Sequence, residues 1–256
     1  MMKKELSIQA YTVRDRMTTA EQTADTFKQL ASFGFTGIQT AGFPTTAEDY
    51  AAAAKAAGLR IVGTHTDFNM LLDTAEAVRV HNVLGTTNAG IGGIPGLFSD
   101  SFKKEDLFDC IEKANQIGEN LSKYGMKFTY HHHAKEFAKI GNETMMDILV
   151  RELDPKTCTF VLDTYWLQHG GVNILEWLEK LAGRVDILHL KDKGIPFGSN
   201  DGDITELGNG NINFKEVIRV AEAIGVQDYC YEQDRNFVVN SLESAKQSAE
   251  YFFSII

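Results

Sequence analysis

TFVLDTYWLQHGGVNILEWLEKLAGRVDILHLK, residues 159–191, holds two short apolar runs, TFVLDT (159–164) and VDILHLK (185–191), separated by an amphipathic stretch that reads as a helix near 174–182. The same alternation continues towards both ends of the chain. Further strand-like runs stand at 6–11, 37–41, 60–65, 86–90, 127–132 and 228–233. Between them lie helical patterns with recognisable ends. Thr19 with Gln22 reads as a capping box for a helix that stops at Gly34, and an Ala-rich helix runs from Thr46 to Gly58. Others fall near 74–84, 103–124, 143–153, 214–224 and 241–253. Eight strands alternating with eight helices is the count of a (β/α)₈ TIM barrel, an α/β fold expected here as a single domain over residues 1–256. A doubly wound open sheet would carry a phosphate-binding glycine turn after its first strand, and LSIQAYTVRD has none.

Composition narrows the class of partner. A hydrophobic fraction of 43%, a charged fraction of 23% and only four prolines describe a folded body rather than a set of linkers. The formal charge of −10 repels phosphate backbones and anionic membranes, so a small-molecule substrate is expected, with no nucleic acid and no membrane as partner. Cys110, Cys158 and Cys230 are odd in number and far apart, which suggests reduced core residues rather than disulfides or a thiolate zinc site. MMKKELSIQAY turns polar after two residues and no apolar run approaches about 18 residues, so the expected location is cytoplasmic.

In a barrel, alternate side chains of each strand face the helices and the lumen, and catalytic groups gather at the C-terminal strand ends. In KFTYHHH, Phe128 and Tyr130 claim the helix side; His132 goes with them, and Thr129, His131 and His133 face inward. By the same parity Phe160 and Leu162 point outward and Asp163 inward. Leu188 and Leu190 point outward, with His189 and Lys191 inward; Tyr229 and Tyr231 point outward and Glu232 inward. The last four strands therefore end on His131, Asp163, His189 and Glu232, a donor set suited to one divalent transition metal with open positions for substrate. Each residue alone has a plainer use: Asp163 as a helix cap, His189 as a core histidine, Glu232 as a partner of Arg235. Lys191 is either a pair for Asp192 or Asp163, or a group that hydrogen-bonds a substrate oxygen and stabilises an enediolate.

Taken together, LSIQAYTVRD, GFTGIQTAGF, YHHHAKEF, VLDTYWLQHGG, ILHLKDKG, ELGNGNINFKEVI and YEQDR resemble, along the whole chain, the sugar phosphate isomerase/epimerase family of xylose isomerase-like TIM barrels. The resemblance implies an isomerase or epimerase that acts on a keto sugar or related polyol through an enediolate held by a divalent metal. Mn²⁺ stands first, with Zn²⁺, Co²⁺ and Fe²⁺ as the other candidates. Relatives carry Glu, Asp, His and Glu as ligands; Asp163, His189 and Glu232 match three of these, and His131 stands where the first Glu would be. The closest pattern is a YHNHxxEF subgroup, which places His133 and Glu136 at the substrate pocket.

Imidazole in place of carboxylate leaves the metal less neutralised and favours a transition metal over Mg²⁺. It also removes the second acid/base that epimerisation uses. Glu232 is then both ligand and base, and Glu136, His133 or His65 is left to fill the other place. An enediolate can instead expel a β substituent, a lyase outcome. A hydrolase acting on a keto-glycoside and a barrel that binds sugar without turnover are the further alternatives. The resemblance also makes Gln9, Tyr11 and His65 substrate-binding residues, with packing as the other reading of Tyr11. Trp166 stands where relatives often carry a substrate-binding His and either stacks on a sugar face or fills the core; Asp234 is taken as substrate-binding, and Gln39 is assigned no chemistry.

The loop GIPFGSNDGDITELGNGN (194–211) is long and glycine-rich, and its Asp201, Asp203 and Glu206 would oppose a phosphate, which favours an unphosphorylated sugar. AGIGGIPGLF (89–98) reads as a lid or a contact with a second subunit. YFFSII at the end of the last helix is more apolar than a solvated terminus, which suggests docking on the barrel or a homodimer.

Overall fold

A computed structural model describes residues 4–256. Eight parallel strands form the barrel: Ser7–Gln9, Gly37–Ala41, Arg60–His65, Asn88–Ile91, Lys127–His131, Cys158–Asp163, Val185–Leu190 and Asp228–Tyr231. They run in sequence order around the wall, and the eighth pairs with the first through Ser7 opposite Cys230. The third and fourth strands close the ring through single bonds rather than a full ladder. Thr66 N donates to Gly90 O at 2.9 Å, and Asn88 Nδ2 to Val62 O at 3.1 Å. Gly90 N donates to Thr64 Oγ1 at 3.1 Å in the same seam.

The seam explains a glycine. A Cβ on Gly90 would overlap the Thr129 hydroxyl and the Thr64 carbonyl oxygen, and a backbone atom cannot swing away. Gly90→Ala is therefore expected to destabilise the fold by about 1–3 kcal/mol, read as a lower denaturation midpoint at unchanged slope. An unchanged midpoint would mean that the seam is looser than described.

All eight expected strands and the helices between them are present. The fourth, read at 86–90, lies at Asn88–Ile91. The first is shorter than its apolar run: it stops at Gln9, and Ala10–Arg16 winds into a 3₁₀ helix because Gln9 Oε1 accepts the Tyr11 amide and caps it. Gln9 and Tyr11 thus share no strand. At the next helix, Ala20–Ser32, Thr19 caps the Gln22 amide, but the Gln22 side chain turns back to Thr18 N at 3.1 Å. The reciprocal box expected there is displaced by one residue.

Parity along the strands holds. Phe128, Tyr130, Phe160, Leu162, Leu188, Leu190 and Tyr231 are buried in the core between sheet and helices. A second, smaller core of Val62, Val161, Ile187 and Cys230 fills the lumen, one layer below the functional side chains. The three cysteines are free and buried. The last helix, Ser241–Ile255, docks on the barrel with Phe252 in the core. No helix among the described residues is long and apolar enough to cross a membrane.

Two short ribbons lie beyond the barrel. Lys139–Ile140 pairs with Glu143–Thr144, and Asp192–Gly194 pairs with Asp203–Thr205 at the base of the glycine-rich loop. Asp192 anchors the second ribbon, its carboxylate accepting the amides of Gly208, Gly210 and Ile212 at 2.9–3.2 Å. Asp203 is held by Arg235 at 2.7 Å and by Asn236, and buried Glu206 by Ser244 Oγ at 2.6 Å and Val238 N at 2.9 Å. These two acids brace the loops, their carboxylates taken up by Arg235, Asn236, Val238 and Ser244.

Candidate metal centre and cavity

The strand register brings the donor set together. Asp163 and His189 are direct partners across neighbouring strands, and the Glu232 amide continues the ladder to Leu190 O at 3.1 Å. His131 joins from the fifth strand. One donor atom from each of the four buried residues lies within 4.8 Å of the others. His131 Nε2 is 3.5 Å from Asp163 Oδ2, and His189 Nδ1 is 3.7 Å from that oxygen and 3.0 Å from Glu232 Oε2. Two ligands each about 2.1 Å from one ion are themselves about 3.0–3.4 Å apart, so the set needs little movement to hold a divalent cation.

Hydrogen bonds to the remaining atoms point the donors inward. His131 Nδ1 is 3.2 Å from Gly92 O, a carbonyl that can only accept, so the proton sits on Nδ1 and the Nε2 lone pair faces the centre. Asp163 uses Oδ1 to cap the following short helix at Trp166 N, 2.9 Å away. Its Oδ2 and His131 Nε2 are buried without a hydrogen-bond partner among the described residues. Two orphaned donors facing one another across 3.5 Å fit a metal better than they fit a sealed core. Asp163 thus caps a helix and presents a ligand oxygen at once.

Charges in the site are shared. Lys191 is buried, with its Nζ 2.7 Å from Asp234, 3.1 Å from Glu232 and 3.8 Å from Asp163. Burial alone would strip its proton, but the three carboxylates outweigh burial and raise its pKa. Burial likewise disfavours ionised Asp163 and Glu232, yet Lys191 and the imidazoles hold both carboxyls below the usual range. His189 is raised because Glu232 and Asp163 outweigh its burial. Asp234 is raised, by burial and then by the Glu232 charge. The pairing of Glu232 with Arg235 does not occur.

Above the donors opens a cavity of about 400 Å³, lined among others by Tyr11, His65, His133, Lys191, Glu232 and Asp234. Burial and the neighbouring His131 push His133 down to about 2, and burial also holds His65 well below its ordinary value. Both imidazoles are neutral. Trp166 stands behind this lining, its ring 5.1 Å from His133 and 5.1 Å from Lys191 Nζ. Phe98, in the apolar loop after the fourth strand, stands at right angles to His133 with ring centroids 5.1 Å apart, and Gly92 of the same segment lines the cavity. His132 takes the structural role, its Nε2 accepting the Asp163 amide at 3.1 Å.

Glu136 is not brought to the cavity. Its carboxylate accepts Tyr130 Oη at 2.7 Å and the His133 amide at 3.0 Å from a fully buried position. Burial dominates and pushes its pKa up to about 7. Unfolded Glu136 ionises near 4.5, so folding loses stability as pH rises from about 4.5 to 7, by up to about 3 kcal/mol. Glu136→Gln is expected to abolish that slope, seen by comparing denaturation midpoints at both ends of the window; equal slopes would refute it.

Gln39, given no chemistry above, proves central. It is buried beneath the centre, with Oε1 2.5 Å from His189 Nε2 and 2.9 Å from Gln9 Nε2. The one signal was a polar residue in the middle of a buried strand, since its contact with His189 spans 150 residues of sequence.

The chain is an α/β TIM barrel that carries His131, Asp163, His189 and Glu232 at the C-terminal mouth, a donor set that could hold a divalent ion. The chain matches the family described as xylose isomerase-like TIM barrel over residues 27–255, and it belongs to that family. It is 29% identical over 166 residues to an inosose dehydratase of Geobacillus thermodenitrificans, covering 59% of this chain. The match spans 55% of that relative's length, so the chain aligns with little more than half of it. A crystal structure of a sugar phosphate isomerase/epimerase from Parabacteroides distasonis superposes with a TM-score of 0.80 at 22% identity, covering 99% of this chain and 95% of that one. The IOLI protein, solved with a bound zinc atom, superposes at 0.72 and 14% identity, covering 98% of each chain. These two likenesses concern the fold.

Proposed function

We propose that the chain is a divalent-metal-dependent enzyme that removes the proton next to the carbonyl of an unphosphorylated polyhydroxylated ketone and completes the reaction by loss of the β-hydroxyl as water. The observation that carries this reading is the gathering of the proton-carrying groups into one cluster. Glu232, Lys191 and Asp234 bond to one another as a single cluster, while His65 and His133, which also line the cavity, are kept uncharged by burial. Epimerisation would need a second acid outside that cluster.

When bound by His131, Asp163, His189 and Glu232, a divalent ion supplies Lewis acidity that polarises the ketone. The remaining steps belong to the side chains. Glu232 takes the proton from the α-carbon. Lys191, kept charged by its carboxylates, gives a proton to the β-hydroxyl, whose C–O bond breaks with release of water. The proton on Glu232 then returns to Lys191 across 3.1 Å, restoring both groups. Among the described residues Lys191 is the only Lys or Arg on the cavity lining, and it is already paired, so no free side-chain cation there meets a phosphate. The sequence likeness to an inosose dehydratase supports the same outcome.

The test is to incubate metal-loaded protein in D₂O with a panel of unphosphorylated ketoses and cyclic polyol ketones, following α-deuteration and enone absorbance together. Exchange with enone formation is the expected result. Exchange with a rearranged sugar and no enone would make the enzyme an isomerase or epimerase, and no exchange with any ketone would overturn the proposal.

A further inference from the structure

A backbone amide decides the protonation of two imidazoles in this site. Tyr11 N–H donates to Gln9 Oε1 at 3.2 Å. A backbone N–H can only donate, so that end of the Gln9 amide is its oxygen and the other end is its NH₂. Gln9 Nε2 lies 2.9 Å from Gln39 Oε1 and 3.1 Å from His65 Nδ1, and its two hydrogens serve those two acceptors. His65 Nδ1 therefore presents a lone pair, and the ring's proton sits on Nε2. The same step fixes the far side: Gln39 Oε1, already an acceptor, takes a second bond from His189 Nε2–H, which turns the His189 Nδ1 edge towards Asp163 and Glu232.

His65 Nε2 is buried and has no hydrogen-bond partner among the described residues, although its ring lines the cavity. The ring centroid is 4.9 Å from His131 and 5.5 Å from His189, so a ligand oxygen that reaches the donor set passes beside it. We infer that His65 is a fixed hydrogen-bond donor to a ligand oxygen in the cavity, its Nε2–H form imposed by Gln9. In the reaction proposed above, on which this second part rests, the bond goes to the substrate oxygen that gains negative charge as the α-proton leaves. A nitrogen that already carries a proton cannot collect another. His65 is thus an electrostatic catalytic residue and not the missing second base, while Gln9 and Gln39 are positioning residues.

Side-chain nitrogen NMR on ¹⁵N-labelled, Zn²⁺-loaded protein at neutral pH tests the assignment without substrate. His65 is expected to show a pyridine-type Nδ1 and a pyrrole-type Nε2. Protonation at Nδ1, or at both nitrogens, would overturn the inference on the wild-type protein alone. Gln9→Glu replaces the donor by a carboxylate that can only accept, and is expected to reverse the two resonances; if it does not fold, the wild-type spectrum still decides. In the exchange assay, His65→Phe, which has no donor, is expected to slow α-deuteration by about 10²–10³-fold, with both limbs of the pH profile unmoved and with much of the rate kept by His65→Gln, whose amide can donate in its place. Loss of a limb would make His65 an acid or base and sink the assignment. If no ketone exchanges at all, the proposed reaction fails while the spectra still settle the donor.

Discussion

Asp163→Asn is expected to weaken divalent-metal binding by about 10²–10³-fold while leaving the fold intact. Asparagine keeps an oxygen that can cap Trp166 N, so the short helix after the sixth strand retains its 2.9 Å bond. What it removes is the charged Oδ2, which stands 3.5 Å from His131 Nε2 and 3.7 Å from His189 Nδ1. A set that gains on the order of 10–16 kcal/mol from an ion through four ligands loses roughly a quarter of that with one of them. Competition titration with Zn²⁺ and a chromophoric chelator measures the change. Unaltered affinity would mean that Asp163 serves only as a cap. The capping bond also predicts that Asp163→Ala costs more stability than Asp163→Asn, by about 1 kcal/mol.

The second large effect belongs to Lys191→Met. In the metal-free protein this change takes the ammonium away from Asp163, Glu232 and Asp234, leaving buried carboxylates uncompensated. Breaking a buried pair from one side costs about 3–5 kcal/mol, so the denaturation midpoint should fall sharply. Saturating metal should restore much of the loss, because the more negative site binds the ion more tightly and binding stabilises the folded state. Turnover in the proposed reaction, by contrast, should stay at least about 10²-fold down with metal present, since no other Lys or Arg among the described residues lines the cavity to protonate the leaving oxygen. A variant as stable as wild type without metal would show that the three carboxylates do not depend on Lys191.

The donor set was legible because its signal is local. Phe128 and Tyr130 fix the parity of their strand, and His131 follows two residues apart from Thr129; the same period-two reading placed Asp163, His189 and Glu232. Residues whose roles come from distant parts of the chain were not legible in that way. Gln39 acquires its function from Gln9 and His189, which periodicity cannot bring together. The resemblance to a YHNHxxEF pattern implied a pocket role for Glu136, yet one 3₁₀ turn, Lys135–Phe137, tucks it under Tyr130. Asp203 and Glu206 carry charge in a glycine-rich loop, and only the fold reveals that Arg235, Asn236 and Ser244 already consume it. The first strand ended early because a Gln side chain capped the turn behind it, a competition that apolar patterning does not register.

The anchored ribbon after the seventh strand separates two tasks along the chain. Asp192 and the pairing of Asp192–Gly194 with Asp203–Thr205 hold the base of that excursion beside Lys191, while residues 195–202 extend beyond it with Ile195 and Phe197 exposed. Length and sequence in that outer segment can therefore drift, or be exchanged between homologues, without retuning the acid–base cluster below. Variation on this scaffold has a place to work that is insulated from the residues around Lys191.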